Sequence, residues 1–141
     1  MVLTKYIFLQ IIKSVSLIFL FISAVNATNI KNSATVFMYH KFGVSKYPST
    51  SVTIEQLESH INELIKEEYN ILSLDFIVDT IINDGDLPNN AIGISIDDAD
   101  KSFFEVGWPL FKQHNIPVTL FITTGTIAKN NKSYLNWDQI R

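Results

Sequence analysis

The chain has 141 residues, enough for one modest domain around one core. Almost half of them, 47%, are hydrophobic, which excludes a disordered chain, and the formal charge of −3 comes without any basic cluster, which excludes nucleic acid as a partner. There is no cysteine, so neither a disulfide nor a thiolate zinc site is available, and His and carboxylate remain as metal ligands.

The first segment differs from the rest. Lys5 and Lys13 lead into an apolar run from Val15 to Val25, then Val25-Asn26-Ala27. A basic start, an apolar stretch of about a dozen residues and a small residue at the cut site describe a secretory signal over residues 1–27, cleaved after Ala27. An uncleaved anchor from Tyr6 to Val25 is the alternative, with Lys13 as its one charge. Residues 28–141 are then expected in the periplasm or outside the cell, meeting a membrane through this segment alone. All 14 acidic residues lie beyond Ala27, so the exported part is more acidic than the whole.

Ala34 to Tyr39 reads as a short strand ending at His40. A polar loop, Lys41 to Val52, follows with Gly43 and Pro48 as breakers. Thr53 and Gln56 have the spacing of a capping box, and Leu57, Ile61, Leu64 and Ile65 recur at helical intervals behind it, predicting a helix to about Glu68. Ile71-Leu72 is a brief strand. Ser73 caps a second helix with Leu74, Ile77, Val78, Ile81 and Ile82 as its apolar face, ended by Asn83 to Asp86 and Pro88. Ala91 to Ile96 is a strand. Phe103 to His114 is a helix in which Pro109 marks an irregular or late start. Ile116 to Thr123 is a strand, Gly125 to Ser133 a loop, and Leu135 to Arg141 the first turns of a helix.

Strands alternating with helices indicate parallel βαβ units, whose chemistry gathers at the carboxyl ends of strands. His40, Asp97 and Asp98 all fall at such ends. Two adjacent carboxylates repel, and a cation or metal relieves the repulsion, so that one can bind a metal while the other serves as a base. The plainer alternative has Asp97 capping the next helix and Asp98 facing water. Asp100 reads as a solvated or helix-capping residue. His40 is either a hydrogen-bonded structural residue or part of a pocket. His60 and His114 read as structural, and Trp108 and Trp137 as packing residues.

The order of segments resembles one family. Val36-Phe-Met-Tyr-His40, the helix after Thr53, Ile94-Ser-Ile-Asp-Asp-Ala99, Trp108-Pro-Leu-Phe-Lys112 and Asn115-Ile-Pro-Val-Thr-Leu-Phe-Ile122 are similar to the N-terminal part of a polysaccharide deacetylase domain, the NodB-homology type of carbohydrate esterase family 4. Met38-Tyr39-His40 resembles the first strand of the branch that acts on poly-N-acetylglucosamine. Ser95 to Ala99 resembles the family's first motif, usually Thr-Phe-Asp-Asp-Gly, and Leu135 to Arg141 the approach to its second. The resemblance spans Ala34 to Arg141. It implies an α/β fold, an incomplete distorted (β/α) barrel over residues 28–141, and hydrolysis of N-acetyl groups from a polysaccharide with a divalent metal, zinc by family habit. Asp97 aligns with the general base, Asp98 with the metal-binding carboxylate, and His40 with the substrate pocket.

Three departures qualify these expectations. Ala99 stands where the family has glycine, so a turn of positive φ there would be strained. Ile96 replaces an aromatic. No His-x-x-x-His pair occurs among the three histidines, and Asp98 alone cannot hold a zinc ion that takes about three protein ligands. The chain is therefore read as the front half of an exported deacetylase, cut where the metal histidines are expected. A non-catalytic carbohydrate-binding or relic domain is the alternative. Magnesium-dependent phosphoryl transfer on the aspartate pair is a third, weakened by the lack of a phosphate-cradling glycine loop.

Overall fold

The computed structural model describes residues 32–129 and 131–141. The expected signal or anchor over residues 1–27 lies outside the described residues. No helix among those described is long and apolar enough to cross a membrane.

The centre is β5 (Ala91–Ile96), whose six residues are all buried. A run that is apolar apart from Ser95 is what a strand covered on both faces requires. It pairs in parallel along its full length with β1 (Ala34–Tyr39), from Ala34 opposite Ala91 to Tyr39 opposite Ile96. Its other edge is shared. β4 (Asn70–Ile71) takes the first half and β6 (Thr119–Leu120) the second, both parallel. This is the parallel α/β sheet expected of a partial (β/α) barrel, and the carboxyl ends of β1, β5 and β6 share one side of it. The shared edge explains why the expected strand from Ile116 to Thr123 is so short. The ladder forms only where β5 has an edge to offer, and Pro117 has no N–H to donate.

The helices are built as their sequences suggest, with different ends. In α1 (Ile54–Leu64), Gln56 N–H donates to the Thr53 hydroxyl at 3.2 Å, and Thr53 N–H donates to the Gln56 side-chain oxygen at 3.0 Å. Leu57, Ile61 and Leu64 are buried. The helix stops at Leu64 rather than Glu68, because the next position on that stripe is a glutamate with nothing to bury. In α2 (Leu74–Ile82), Ser73 caps Phe76 N–H at 3.2 Å. Ile77 is buried, but Val78, Ile81 and Ile82 of the expected apolar face are exposed, Ile82 to 72%.

α2 reaches the sheet through Gly93. A Cβ there would lie 2.4 Å from Leu74 Cδ2 and 3.0 Å from Ile77 Cδ1. Replacing Gly93 with Val is therefore expected to cost about 1–3 kcal/mol by forcing α2 off β5. Equilibrium denaturation measures this, and an unchanged midpoint would mean that α2 does not press on β5 in solution.

Two expected loops contain structure. Within Lys41 to Val52, β2 (Lys41–Phe42) and β3 (Ser51–Val52) form a small parallel ladder. It swings Phe42 into the core, where its ring meets Phe103 at 5.8 Å and Phe111 at 6.2 Å between centroids. At the start of the expected loop from Gly125 to Ser133, α4 (Thr124–Ala128) forms around the buried Ile127.

The helix expected from Phe103 opens with a π-turn, Phe103–Gly107, and continues as α3 (Trp108–Gln113). Trp108 N–H reaches back five residues to the Phe103 carbonyl. Pro109 explains the irregularity: it offers no N–H to the Glu105 carbonyl, and its ring would crowd that oxygen in a regular turn. α5 (Trp137–Ile140) starts with a second capping box, between Asn136 and Gln139. Trp108 packs partly buried beside Phe103, as expected, whereas Trp137 at the first turn of α5 is 44% exposed and is no core residue.

Candidate active site

The site is built at the carboxyl ends of β1 and β5. The ladder runs one bond past the strands, with Asp97 N–H donating to the Tyr39 carbonyl at 2.8 Å. That bond sets Asp97 beside His40. The His40 Nε2 stands 4.0 Å from Asp97 Oδ2, and the two side chains are 28% and 31% exposed. They are neighbours open to solvent, too far apart for a hydrogen bond. A carboxylate in this position can accept a proton from a water or ligand held between the strand ends.

The backbone then turns sharply. Asp98 has φ 70° and Ala99 φ 57°, two successive left-handed residues. Aspartate tolerates this conformation; alanine adopts it at a cost of about 1–2 kcal/mol. The strain expected at Ala99 from its sequence position is thus present. The turn is held from outside, since Leu135 N–H donates to the Ala99 carbonyl at 2.9 Å and Lys101 N–H to the Ser133 carbonyl at 2.9 Å. Ala99 itself is fully buried. Substituting valine, whose branched Cβ suits neither the positive φ nor the closed space, is expected to cost more than about 2 kcal/mol. A melting curve decides, and a loss below about 0.5 kcal/mol would show that the turn relaxes.

The turn gives the aspartate pair different surroundings. Asp97 faces His40, while Asp98 accepts a hydrogen bond from the Thr123 hydroxyl at 3.2 Å, just before α4. Neither carboxylate caps the following helix.

That role belongs to Asp100, which the sequence reading set aside. It does cap, accepting from Ser102 N–H at 3.0 Å, but it is buried rather than solvated. It also accepts from the Ser102 hydroxyl at 2.6 Å and from the Lys41 ammonium at 2.7 Å. Ser102 Oγ in turn accepts from Phe42 N–H at 3.0 Å. Burial pushes the Asp100 carboxyl upward, but the bonds from Lys41 and Ser102 outweigh it and hold the group below its ordinary range. Burial likewise pushes Lys41 down, yet the Asp100 bond and charge leave it raised. This network ties the loop carrying His40 to the loop carrying Asp97. The alternation of Asp97, Asp98 and Asp100 with an intervening alanine was the available signal, since a lysine directly after His40 offers a partner for one of them.

His60, read as structural, does take a structural bond: its Nδ1 lies 3.1 Å from the Tyr39 hydroxyl. Burial raises the Tyr39 phenol above its ordinary value, so Tyr39 keeps its proton. His114 ends α3 at its C-cap, as expected. Among the described residues, no group of three or more His, Asp or Glu side chains is placed to hold a metal ion.

No family model matches the chain. Curated relatives do. A poly-beta-1,6-N-acetyl-D-glucosamine N-deacetylase of Staphylococcus aureus (strain MSSA476) is 30% identical over 105 residues, covering 74% of this chain and 35% of its own length. The protein of the same name from Staphylococcus epidermidis is 27% identical over 120 residues, covering 75% of this chain and 41% of its own. The chain therefore spans little more than a third of the relatives it matches. Among solved structures, a de-N-acetylase from Aggregatibacter actinomycetemcomitans superposes with a TM-score of 0.67 at 23% identity, over 77% of this chain and 49% of that one. A Streptococcus pyogenes deacetylase solved with acetate gives 0.68 at 19%, over 80% and 51%. IcaB from Ammonifex degensii gives 0.66 at 20%, over 76% and 46%. Over 105 residues the chain is thus similar in sequence to curated N-deacetylases, and it shares the parallel α/β fold of the solved polysaccharide deacetylases over about half of their length.

Proposed function

We propose that the protein takes part in hydrolysing N-acetyl groups from an exported β-1,6-linked N-acetylglucosamine polymer, with Asp97 as general base. The carrying observation is the position of Asp97: at the carboxyl end of the central strand, part-exposed, 4.0 Å from His40, in a chain whose curated relatives bear that activity in their names. A water attacks the acetyl carbonyl carbon and Asp97 takes its proton. The tetrahedral intermediate then collapses as that proton is passed on to the nitrogen, breaking the carbon–nitrogen bond to give acetate and a free amino sugar. His40 lines the pocket on the side of β1.

The family resemblance also brings a divalent metal, with Asp98 as a ligand. Among the described residues the exposed Asp98 carboxylate is bonded to Thr123 alone, and they do not complete a set of about three ligands around it. They do not by themselves fit a catalytic zinc ion, so no step is assigned to one. A second reading, glycan binding without turnover, draws on that same incomplete set.

The test is acetate release from β-1,6-linked N-acetylglucosamine oligomers by the whole gene product, with and without chelator. Acetate release that chelator stops supports the enzyme and a metal whose remaining ligands lie outside the described residues. Oligomer binding unchanged by chelator, without any acetate, supports the second reading and sinks the first.

A further inference from the structure

A groove of about 370 Å3 opens beside His40 and runs over β2 and β3 to α1. Its lining includes Met38, Tyr39, His40, Thr50, Gln56 and His60. Other clefts are larger, at about 470 Å3, but neither His40 nor Asp97 lines them. This groove begins at the strand end where Asp97 sits, so a polymer held at Asp97 has it within reach.

The charge of the groove narrows its ligand. Among the described residues Lys41 is its one lysine or arginine, and that ammonium is already bonded to Asp100 at 2.7 Å. Among the described residues, no carboxylate lines it. A phosphate or uronic acid would find no free cation there, and the ammonium of a free amino sugar would find no anion. What the groove does offer is hydroxyl, amide and imidazole groups, with Met38 (60% exposed) and the Tyr39 ring as apolar surface. Those match the hydroxyls and C–H faces of a neutral sugar. His60 is the best-positioned polar group. Tyr39 holds its Nδ1, and with Tyr39 as donor the ring proton sits on Nε2, which makes no bond among the described residues.

We propose that this groove is the subsite for the sugar adjoining the one whose amide is cut, that it takes this neighbour in its N-acetylated form, and that His60 reads it. The proposal rests on the deacetylase reading above. It follows that a sugar whose neighbour has already lost its acetyl group is a poorer substrate, because the new ammonium would be desolvated without a counter-charge. Deacetylation would then be spaced along the polymer rather than proceeding residue by residue from a finished end.

The experiment uses the whole gene product carrying Asp97→Asn, so that binding is measured without turnover. Calorimetry compares a β-1,6-linked N-acetylglucosamine tetramer with its fully deacetylated form. The acetylated tetramer is expected to bind at least about 5-fold tighter. His60→Ala is expected to remove that preference and His60→Gln, which keeps a donor, to retain part of it. Glu58→Gln, on the same helix outside the groove, is expected to leave it intact. Equal affinity for both tetramers, or a preference untouched by His60→Ala, overturns the proposal. The two readings fail separately. Acetate release by the unmutated protein without any His60-dependent preference sinks the subsite alone. His60-dependent preference without acetate release upholds the groove as a site for acetylated glycan and sinks the hydrolase.

Discussion

Asp97→Asn is expected to lower acetate release from N-acetylglucosamine oligomers by about 10²- to 10⁴-fold, the span general-base catalysis supplies. The amide has nearly the shape of the carboxylate but cannot take the proton of the attacking water. Nothing in the fold depends on that charge. The bond that seats Asp97 runs from its backbone N–H to Tyr39, and His40 stands too far away to lose a hydrogen bond. The melting temperature should therefore stay within a degree or two, while turnover collapses. Activity above a tenth of the original would remove Asp97 from the role of base.

The second large effect falls on stability. Asp100→Ala strips the partner from the ammonium of Lys41, whose side chain is only 17% exposed, and from the hydroxyl and N–H of Ser102. Removing one member of a mostly buried pair costs about 3 kcal/mol, or a drop in melting temperature on the order of 10 °C for a domain of this size. Adding Lys41→Met to Asp100→Ala should recover part of the loss, because the orphaned charge goes with it. If the double variant is less stable than the single one, the pair is not what holds the two loops.

The pH dependence follows from the directions. The Asp100 carboxyl lies below its ordinary 3.8 in the folded protein, so its contribution is complete above that value and is lost as pH falls through the lower folded one. Lys41 lies above its ordinary 10.5, so its contribution is complete below that value and is lost as pH rises through the higher folded one. The stability gap between the native protein and Asp100→Ala should be flat between these limits and close at both extremes. A gap that changes steadily through neutral pH would point to another titrating group.

Much of this arrangement was legible in the chain. β5 and β1 announced themselves by apolar runs with clean ends, and Thr53 and Ser73 by capping chemistry that local geometry alone enforces. Asp97 and Asp98 were placed correctly at a strand end because a parallel sheet has one productive edge. What escaped notice depended on long-range contacts. Phe42 sits in a loop of polar composition, and only the ladder from β2 to β3, closed across residues far from either strand end, takes it inside. Asp100 looked like one more loop carboxylate, since its lysine comes from 59 residues earlier. The apolar stripe of α2 was read as core, but Gly93 admits the helix only edge-on, through Leu74 and Ile77.

The π-turn before α3 bears on which lengths of chain this domain tolerates. Residues eight apart in a regular helix diverge by about 80° around its axis. The extra residue in the Phe103–Gly107 turn offsets most of that drift, so Phe103, Gly107 and Phe111 all face Phe42; a Cβ on Gly107 would come within 2.9 Å of its ring. Deleting one residue from 104–106 would restore an ordinary ladder and still keep that face, since residues seven apart in a regular helix differ by only about 20°. Phe111 would keep Tyr39, now 5.9 Å away between ring centroids, and Ile116, whose N–H is bonded to the Phe111 carbonyl at 3.0 Å, would keep its approach to β6, but Pro109 would fall inside a regular helix at a cost of about 3 kcal/mol. An alignment gap of one residue at this point is therefore expected together with the loss of Pro109 and an unchanged core, whereas a gap of the same size between Ser45 and Pro48 would signal only a shorter loop.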